Sequence, residues 1–364
     1  MKITDVKYDC KHFVGSIPCA PSKRLGVNCT SCTEYKKISN RILIIKLGAL
    51  GDVIRTTPLL VRLKQQYPDA HFTWLTMSPE VLPKNEIDVI YKLDAASMYV
   101  VSNSTYDIAI NLDKDTEACI LLEKLNATEK YGYTIGDGRI APATPAAEHK
   151  LMTGFFDELS KENTQSYLQE IFEICHLTFN YEPYLINLDS DLSNDWAEKF
   201  KILSGGKRLI GLNTGCGPRW NTRLWSDDSW VELADLCKKK GYFPLFIGGD
   251  LEHEKNKRLS ETANVYYPGH FSLREFISLT NNLELVVTQV SMMMHIATAL
   301  RKKMVLMNNI FNKHEFELYG RGELIEPEFN CECYYGNSCK HGRSCMQFLR
   351  PISVFEKITK LLEE

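Results

Sequence analysis

Long hydrophobic runs are scarce in this chain, and the shortage argues against a membrane-spanning protein. The most apolar window, residues 283–300, is interrupted by Glu284, Gln289 and His295, whereas a spanning helix needs roughly 20 consecutive, mostly apolar residues. The opening residues, 1–10, are polar and charged, unlike a secretory leader. A large charge of one sign is missing as well: the net charge of −3 gives no global signature of nucleic-acid binding. Internal repeats and low-complexity runs are absent. So are the dinucleotide fingerprint G-x-G-x-x-G and the G-K-[ST] ending of a P-loop. The expectation is a cytoplasmic protein with at most peripheral contact with the inner face of a membrane.

What is present is the composition of a soluble globular protein, with 44% hydrophobic and 24% charged residues. A length of 364 residues suits two α/β domains, at roughly 100–200 residues each. Only residues 1–41 depart from charge balance, with eight Lys/Arg against three Asp/Glu. That excess reads as a solvated surface or as a weak contact with an anionic membrane or acceptor. Twelve cysteines in a reducing compartment read as thiols or metal ligands rather than a disulfide framework.

One stretch organises the rest. Ile42-Leu43-Ile44-Ile45 is a short apolar run, rich in β-branched residues, that reads as a parallel strand buried on both faces. Gly48 and Gly51 then permit a tight turn and close approach of another molecule. Thr57-Pro58 looks like a helix N-cap and first turn. Strand, glycine turn and helix N-terminus together make a site for anions or nucleotides. Asp52 sits in that turn, and its position alone favours a capping role.

Beyond this unit, a helix is expected over 59–66, strands over 72–77, 89–91 and 108–112, a helix over 117–125, a loop over 132–145, and a helical pattern over 148–176 broken at 161–167. After a connection at 189–206, a second alternation has strands at 209–213, 243–247, 285–288 and 304–307. Helices are expected at 229–240, 252–262, 273–280 and 293–300. Strands alternating with helices predict doubly wound parallel sheets. Two of them facing across a cleft at their strand C-termini make the GT-B arrangement. The expected organisation is a Cys-rich segment over 1–40, one Rossmann-like domain over 41–190, a second over 205–330, another Cys-rich segment over 331–350, and a helix over 351–364 returning to the first domain.

The first segment holds Cys10, Cys19, Cys29 and Cys32 and few large apolar residues. It needs a staple or the flank of another domain, and its C-x2-C end suits a structural metal as readily as free or paired thiols. Cys331, Cys333, Cys339 and Cys345 form a second group. Cys119, Cys175, Cys216 and Cys237 lie in apolar surroundings, as packing residues do.

The run Lys46-Leu-Gly-Ala-Leu-Gly-Asp52 with Pro58, Tyr67-Pro-Asp-Ala70 and Trp74-Leu75 resembles the amino-terminal motif of the family 9 glycosyltransferases, the bacterial ADP-heptose heptosyltransferases. The resemblance continues through Asn213-Thr-Gly-Cys-Gly217, Thr222-Arg-Leu-Trp225, Trp230, Gly248-Gly249 with Glu252, Tyr267-Pro-Gly269, Ser272-Leu273 and Met294-His-Ile-Ala297. It implies an inverting transfer of a heptose or related sugar from an ADP-sugar to a glycan or protein hydroxyl, without a catalytic metal. It makes Asp52 the base and the first domain the acceptor side, with Gly48 and Gly51 as loop candidates.

On the donor side, Thr214, Gly215 and Gly249 would meet phosphate through hydroxyl and backbone N–H groups, and Arg223 would neutralise the diphosphate. Glu252 would accept from ribose or adenine, or would be only a first-turn carboxylate. Ser291, Met292 and His295 would open a helix whose N-terminus steadies the departing phosphate, His295 donating. Asn312, Lys313 and His314 border the cleft as further candidates. Where the family has an acidic residue, a hydroxyl residue and a glycine, this chain has Val290, Ser291 and Met292, so a contact to the donor sugar is lost. The chain is also similar to the autotransporter heptosyltransferase branch, which holds iron with carboxy-terminal cysteines; zinc or iron at Cys331, Cys333, Cys339 and Cys345 follows as an expectation. A non-catalytic nucleotide-sugar binder and another GT-B chemistry, such as epimerisation, are the alternatives.

Overall fold

The computed structural model describes residues 1–328 and 333–363. After the short helix α1 (Ala20–Leu25), the first lobe runs β1 (Arg41–Ile45), α2 (Leu50–Gln66), β2 (His71–Thr76), β3 (Val89–Lys92), α3 (Ala95–Ser102), β4 (Thr105–Asn111), α4 (Thr116–Lys124), β5 (Asn126–Gly136), β6 (Arg139–Pro142), α5 (Glu148–Phe155), α6 (Asp157–Glu162) and α7 (Tyr167–Ile174). The second runs α8 (Ser190–Ser204), β7 (Leu209–Asn213), α9 (Asp227–Lys239), β8 (Phe243–Ile247), α10 (His253–Ala263), α11 (Leu273–Thr280), β9 (Leu285–Gln289), α12 (Met292–Ala299), β10 (Lys303–Met307), β11 (Gly322–Ile325) and α13 (Pro351–Glu363).

The first sheet has the order β3-β2-β1-β4-β5-β6 and the second β11-β10-β9-β7-β8. All pairings are parallel except the β5–β6 hairpin. Central β1 pairs Ile44 with Trp74 of β2 on one side and with Ile110 of β4 on the other. All three are fully buried, as a strand covered on both faces requires. This is the expected GT-B architecture.

Three local expectations are corrected. Helix α2 begins at Leu50, not at Thr57, so Pro58 lies inside it. A proline there cannot donate to the carbonyl of Ile54; the Thr57 hydroxyl donates to that carbonyl instead, at 2.7 Å. The loop expected over 132–145 holds the β5–β6 hairpin. Its turn, Asp137-Gly138, has two consecutive positive φ angles, 48° and 73°, as a two-residue turn matched to strand twist demands. Helix α13 does not return to the first lobe. Val354, Ile358, Leu361 and Leu362 are buried in a cluster with Trp225, Trp230, Val305 and Met307 of the second, Arg208 donates to the Leu362 carbonyl at 2.6 Å, and Lys357 pairs with Glu323 at 2.8 Å.

The Cys-rich amino-terminal segment docks on the flank of the first sheet. Lys11 Nζ donates to the Ala70 carbonyl at 2.8 Å and lies 3.4 Å from Asp88, and the His71 amide donates to the Asn40 carbonyl at 2.7 Å. Cys10, Cys19, Cys29 and Cys32 line one cavity of about 190 Å³. Among the described residues, however, no three Cys, His, Asp or Glu side chains converge as the ligands of a metal ion, so the four thiols as placed do not fit a tetrahedral thiolate site. In the second group, Cys331 lies outside the described residues, Cys333 is buried, and Cys345 Sγ accepts from Asn309 Nδ2 at 3.6 Å. Among the described residues, no helix is long and apolar enough to cross a membrane.

Candidate active site

The two sheets point the carboxyl ends of their strands at one cleft of about 1210 Å³, where open α/β sheets place their ligands. From the first lobe, the segment after β1 contributes Lys46, Gly48, Gly51, Asp52 and Arg55, and the segment after β4 contributes Asp113 and Lys114. From the second come Asn213 and Gly215 after β7, Gly249 and Glu252 after β8, Val290 to His295 around the start of α12, and Phe311, Glu315 and Phe316 after β10. The sequence-predicted carboxylate and the predicted donor cradle therefore share one crevice.

Asp52 lies in the first turn of α2, its side chain about one-third exposed, with Arg55 Nε 2.9 Å from Oδ1. Burial pushes its pKa up, but the charges of Arg55 and Lys46 outweigh that and hold it below the ordinary carboxylate value. Arg55 stacks on the Tyr167 ring, 3.5 Å from its centroid, which fixes the guanidinium over the carboxylate. The loop before Asp52 is braced by Asp113, whose Oδ2 accepts from Lys46 Nζ at 3.0 Å, from the Leu47 amide at 2.9 Å and from the Gly48 amide at 3.2 Å. This buried ion pair was not found from the sequence; an Asp following a strand carries no distinguishing local signal.

His295, the fourth residue of α12, is 7% exposed, and its ring lies parallel to Tyr184 with centroids 6.3 Å apart. Its other edge lies on Gly51, where a Cβ would come within 2.5 Å of the ring. Gly51 is thus required by inter-lobe packing of α2 on α12, and the expected phosphate donor is also a packing residue. Burial, aided by Arg55, lowers the His295 pKa to about 3, so the imidazole is neutral near pH 7 and can offer only one N–H.

Other expected donor contacts are redistributed. The Thr214 side chain is fully buried and donates to Asn256 Oδ1 at 2.5 Å, so it is off the cleft wall, while Gly215 is on it. Arg223 is 6% exposed and spends its donors on the carbonyls of Trp220, Val290 and Cys216. It braces the loop after β7 against the start of α12; Arg219, exposed and 4.3 Å above the Trp220 ring, lines the same cleft with its guanidinium not spent on those carbonyls. Glu252 accepts from the Gly249 amide at 3.0 Å and lies over Gly215, joining the two glycine loops. Ser291 Oγ is 3.1 Å from Thr288 Oγ1. Asn312 and Lys313 are not on the cleft wall: Asn312 Nδ2 donates at 2.6 Å to the carbonyls of both Ser160 and Asn163, clasping the lobes together. Trp220, Phe311 and Tyr335 form an aromatic wall with centroids 5.0–5.8 Å apart. Their separation along the chain hid this cluster from sequence reading.

A family model described as glycosyltransferase family 9 (heptosyltransferase) matches residues 99–321. A structure of a family 9 glycosyl transferase from Veillonella parvula is similar over 90% of this chain and 98% of its own, with 20% identity and a TM-score of 0.68. The Escherichia coli ADP-heptose lipopolysaccharide heptosyltransferase II is similar over 89% and 98%, with 17% identity and a TM-score of 0.66. The iron-containing dodecameric heptosyltransferase TibC of enterotoxigenic E. coli, solved with ADP-D-β-D-heptose, is similar over 89% of this chain and 76% of its own, at 12% identity and a TM-score of 0.56. A comparison with curated proteins found no match. At these identities the solved structures speak for the fold; the family model, spanning more than half of the sequence, speaks for descent, and the chain belongs to glycosyltransferase family 9, the heptosyltransferase family.

Proposed function

We propose that this glycosyltransferase moves a heptose, or a closely related sugar, from an ADP-sugar to an acceptor hydroxyl with inversion at the anomeric carbon. The observation that carries the reading is the position of Asp52, on the first-lobe wall of a cleft whose opposite wall is built from Gly215, Gly249, Glu252 and the start of α12. The acceptor oxygen attacks the anomeric carbon while its proton passes to the Asp52 carboxylate. The bond from that carbon to the diphosphate oxygen breaks, and ADP leaves with the electron pair. Backbone N–H groups of the glycine loops, the N-terminus of α12 and Arg219 would meet the developing charge. Neither the acceptor proton nor the leaving group needs a metal ion in this scheme. Met292 presents a thioether where the family places a glycine, which favours a donor sugar with an apolar edge at that point.

The test is incubation of the purified protein with ADP-heptose and candidate glycan and protein acceptors, followed by ADP release and product mass from pH 4 to 9. Turnover should add one heptose per ADP formed. The Asp52 pKa, held below the ordinary carboxylate value by Arg55 and Lys46, keeps the base ionised near neutral pH, and a His295 pKa of about 3 removes the usual histidine inflexion. The profile should therefore be flat from about pH 5 to 8, its acid limb falling below the ordinary carboxylate range. Binding of ADP-heptose without transfer or hydrolysis would favour the non-catalytic nucleotide-sugar binder.

A further inference from the structure

Four cations line the first-lobe side of the cleft: Lys46, Arg55, Lys114 and Lys150. Three have a carboxylate within ion-pair distance. Lys46 has Asp113 at 3.0 Å, Arg55 has Asp52 at 2.9 Å, and Lys150 has Glu170 at 2.6 Å and Glu315 at 3.7 Å. Lys114 has no such partner among the described residues. Its ammonium rests against the backbone at Gly154, where a Cβ would fall 2.0 Å from Nζ, and lies 5.7 Å from the Tyr133 ring centroid. Lys150 and Lys46 repel it, while Glu170 and Glu315 attract it from beyond pairing distance. Burial, and after it Lys150, depress its pKa.

We propose that Lys114, seated between Gly154 and Tyr133 on the wall that carries Asp52, is a subsite for an anionic group, phosphate or carboxylate, of the acceptor. The wall decides between the two substrates. The glycine loops and α12 that would take the diphosphate lie on the opposite lobe, whereas Lys114 shares its lobe with the base. An acceptor anion there would supply the missing counter-charge and fix the distance from the nucleophilic hydroxyl to Asp52. An N–H to charged-oxygen contact in a partly dry cleft changes binding by about 10- to 100-fold. The inference rests on the proposed transferase reading for the word acceptor, but not for the anion site itself.

The experiment is saturation-transfer NMR with glucose 6-phosphate, glucose and glucuronate, on protein with and without saturating ADP, comparing the natural chain with Lys114→Met. ADP occupies the donor phosphate cradle, so binding that persists in its presence reports the second site. The expected result is that at least one of the two anions binds the ADP-loaded protein, that glucose does not, and that Lys114→Met weakens the anion about tenfold or more while leaving the ADP affinity unchanged. The two anions distinguish phosphate from carboxylate. Equal anion binding by the variant, or no preference for either anion over glucose, overturns the assignment. Failure of ADP itself to bind would strike the donor reading instead, and the comparison on unloaded protein would still decide for or against Lys114.

Discussion

Asp52→Asn is expected to lower heptose transfer by about 10²- to 10⁴-fold, the range that general-base removal costs, while ADP affinity stays within about twofold. The substitution is isosteric and keeps a hydrogen-bond acceptor toward Arg55, so the α2 turn has no reason to rearrange. What disappears is the site that takes the acceptor proton. Turnover, ADP calorimetry and thermal unfolding on the same preparation separate the outcomes. Near-normal turnover would return Asp52 to the status of a first-turn carboxylate that only favours the helix dipole. A loss of ADP binding in step with activity would make it a binding residue rather than a base.

Asp113→Asn should be strongly destabilising. Both side chains of the Lys46–Asp113 pair are less than a tenth exposed, and one Asp113 oxygen also accepts from two backbone amides of the glycine turn. Removing the negative partner strands a buried ammonium, at a cost of roughly 3–5 kcal/mol. It also replaces the charged acceptor of the Leu47 and Gly48 amides by a weaker neutral one, loosening the turn that presents Asp52, so activity should fall at temperatures where the protein is still folded. Chemical denaturation of Asp113→Asn measures the first effect, and of Lys46→Met/Asp113→Leu the compensation: the double variant should recover the part due to the stranded ammonium, but not the activity, and the Leu47 and Gly48 amides left without an acceptor should keep it less stable than the natural chain. A loss below about 1 kcal/mol for Asp113→Asn would mean that the pair is hydrated in solution.

Much of the fold could be read from local pattern. Strand β8 and helix α11 lie where residue spacing places them, because a buried parallel strand and an amphipathic helix each declare their period. The β5–β6 hairpin was hidden under a glycine- and proline-rich stretch read as a loop, although Asp137-Gly138 is a strong hairpin-turn pair. Thr57-Pro58 imitates a helix entry although it lies inside α2. Only the tertiary position of Thr57, whose hydroxyl also accepts from the Leu185 amide, shows that the threonine repairs a proline break.

In the site, Asp52, Gly215, Gly249, Glu252 and Met292 fall on the cleft wall as their motifs suggest. Motif position could not distinguish Arg223 from Arg219. The guanidinium nearer the motif is spent on three carbonyls, and that assignment depends on Val290, 67 residues away. Asn312 likewise looks like a ligand contact in sequence and is a clasp between lobes in space. Lys114 was invisible because an unpaired cation is defined by what surrounds it.

The stereochemistry of the transferred sugar bears most directly on the claim that one carboxylate and one phosphate cradle act across a shared cleft in a single displacement. NMR of the glycoside formed from ADP-heptose of known anomeric configuration should show the opposite configuration at that carbon. Retained configuration would require a second nucleophile in the cleft and would contradict the assignment of Asp52 as the base.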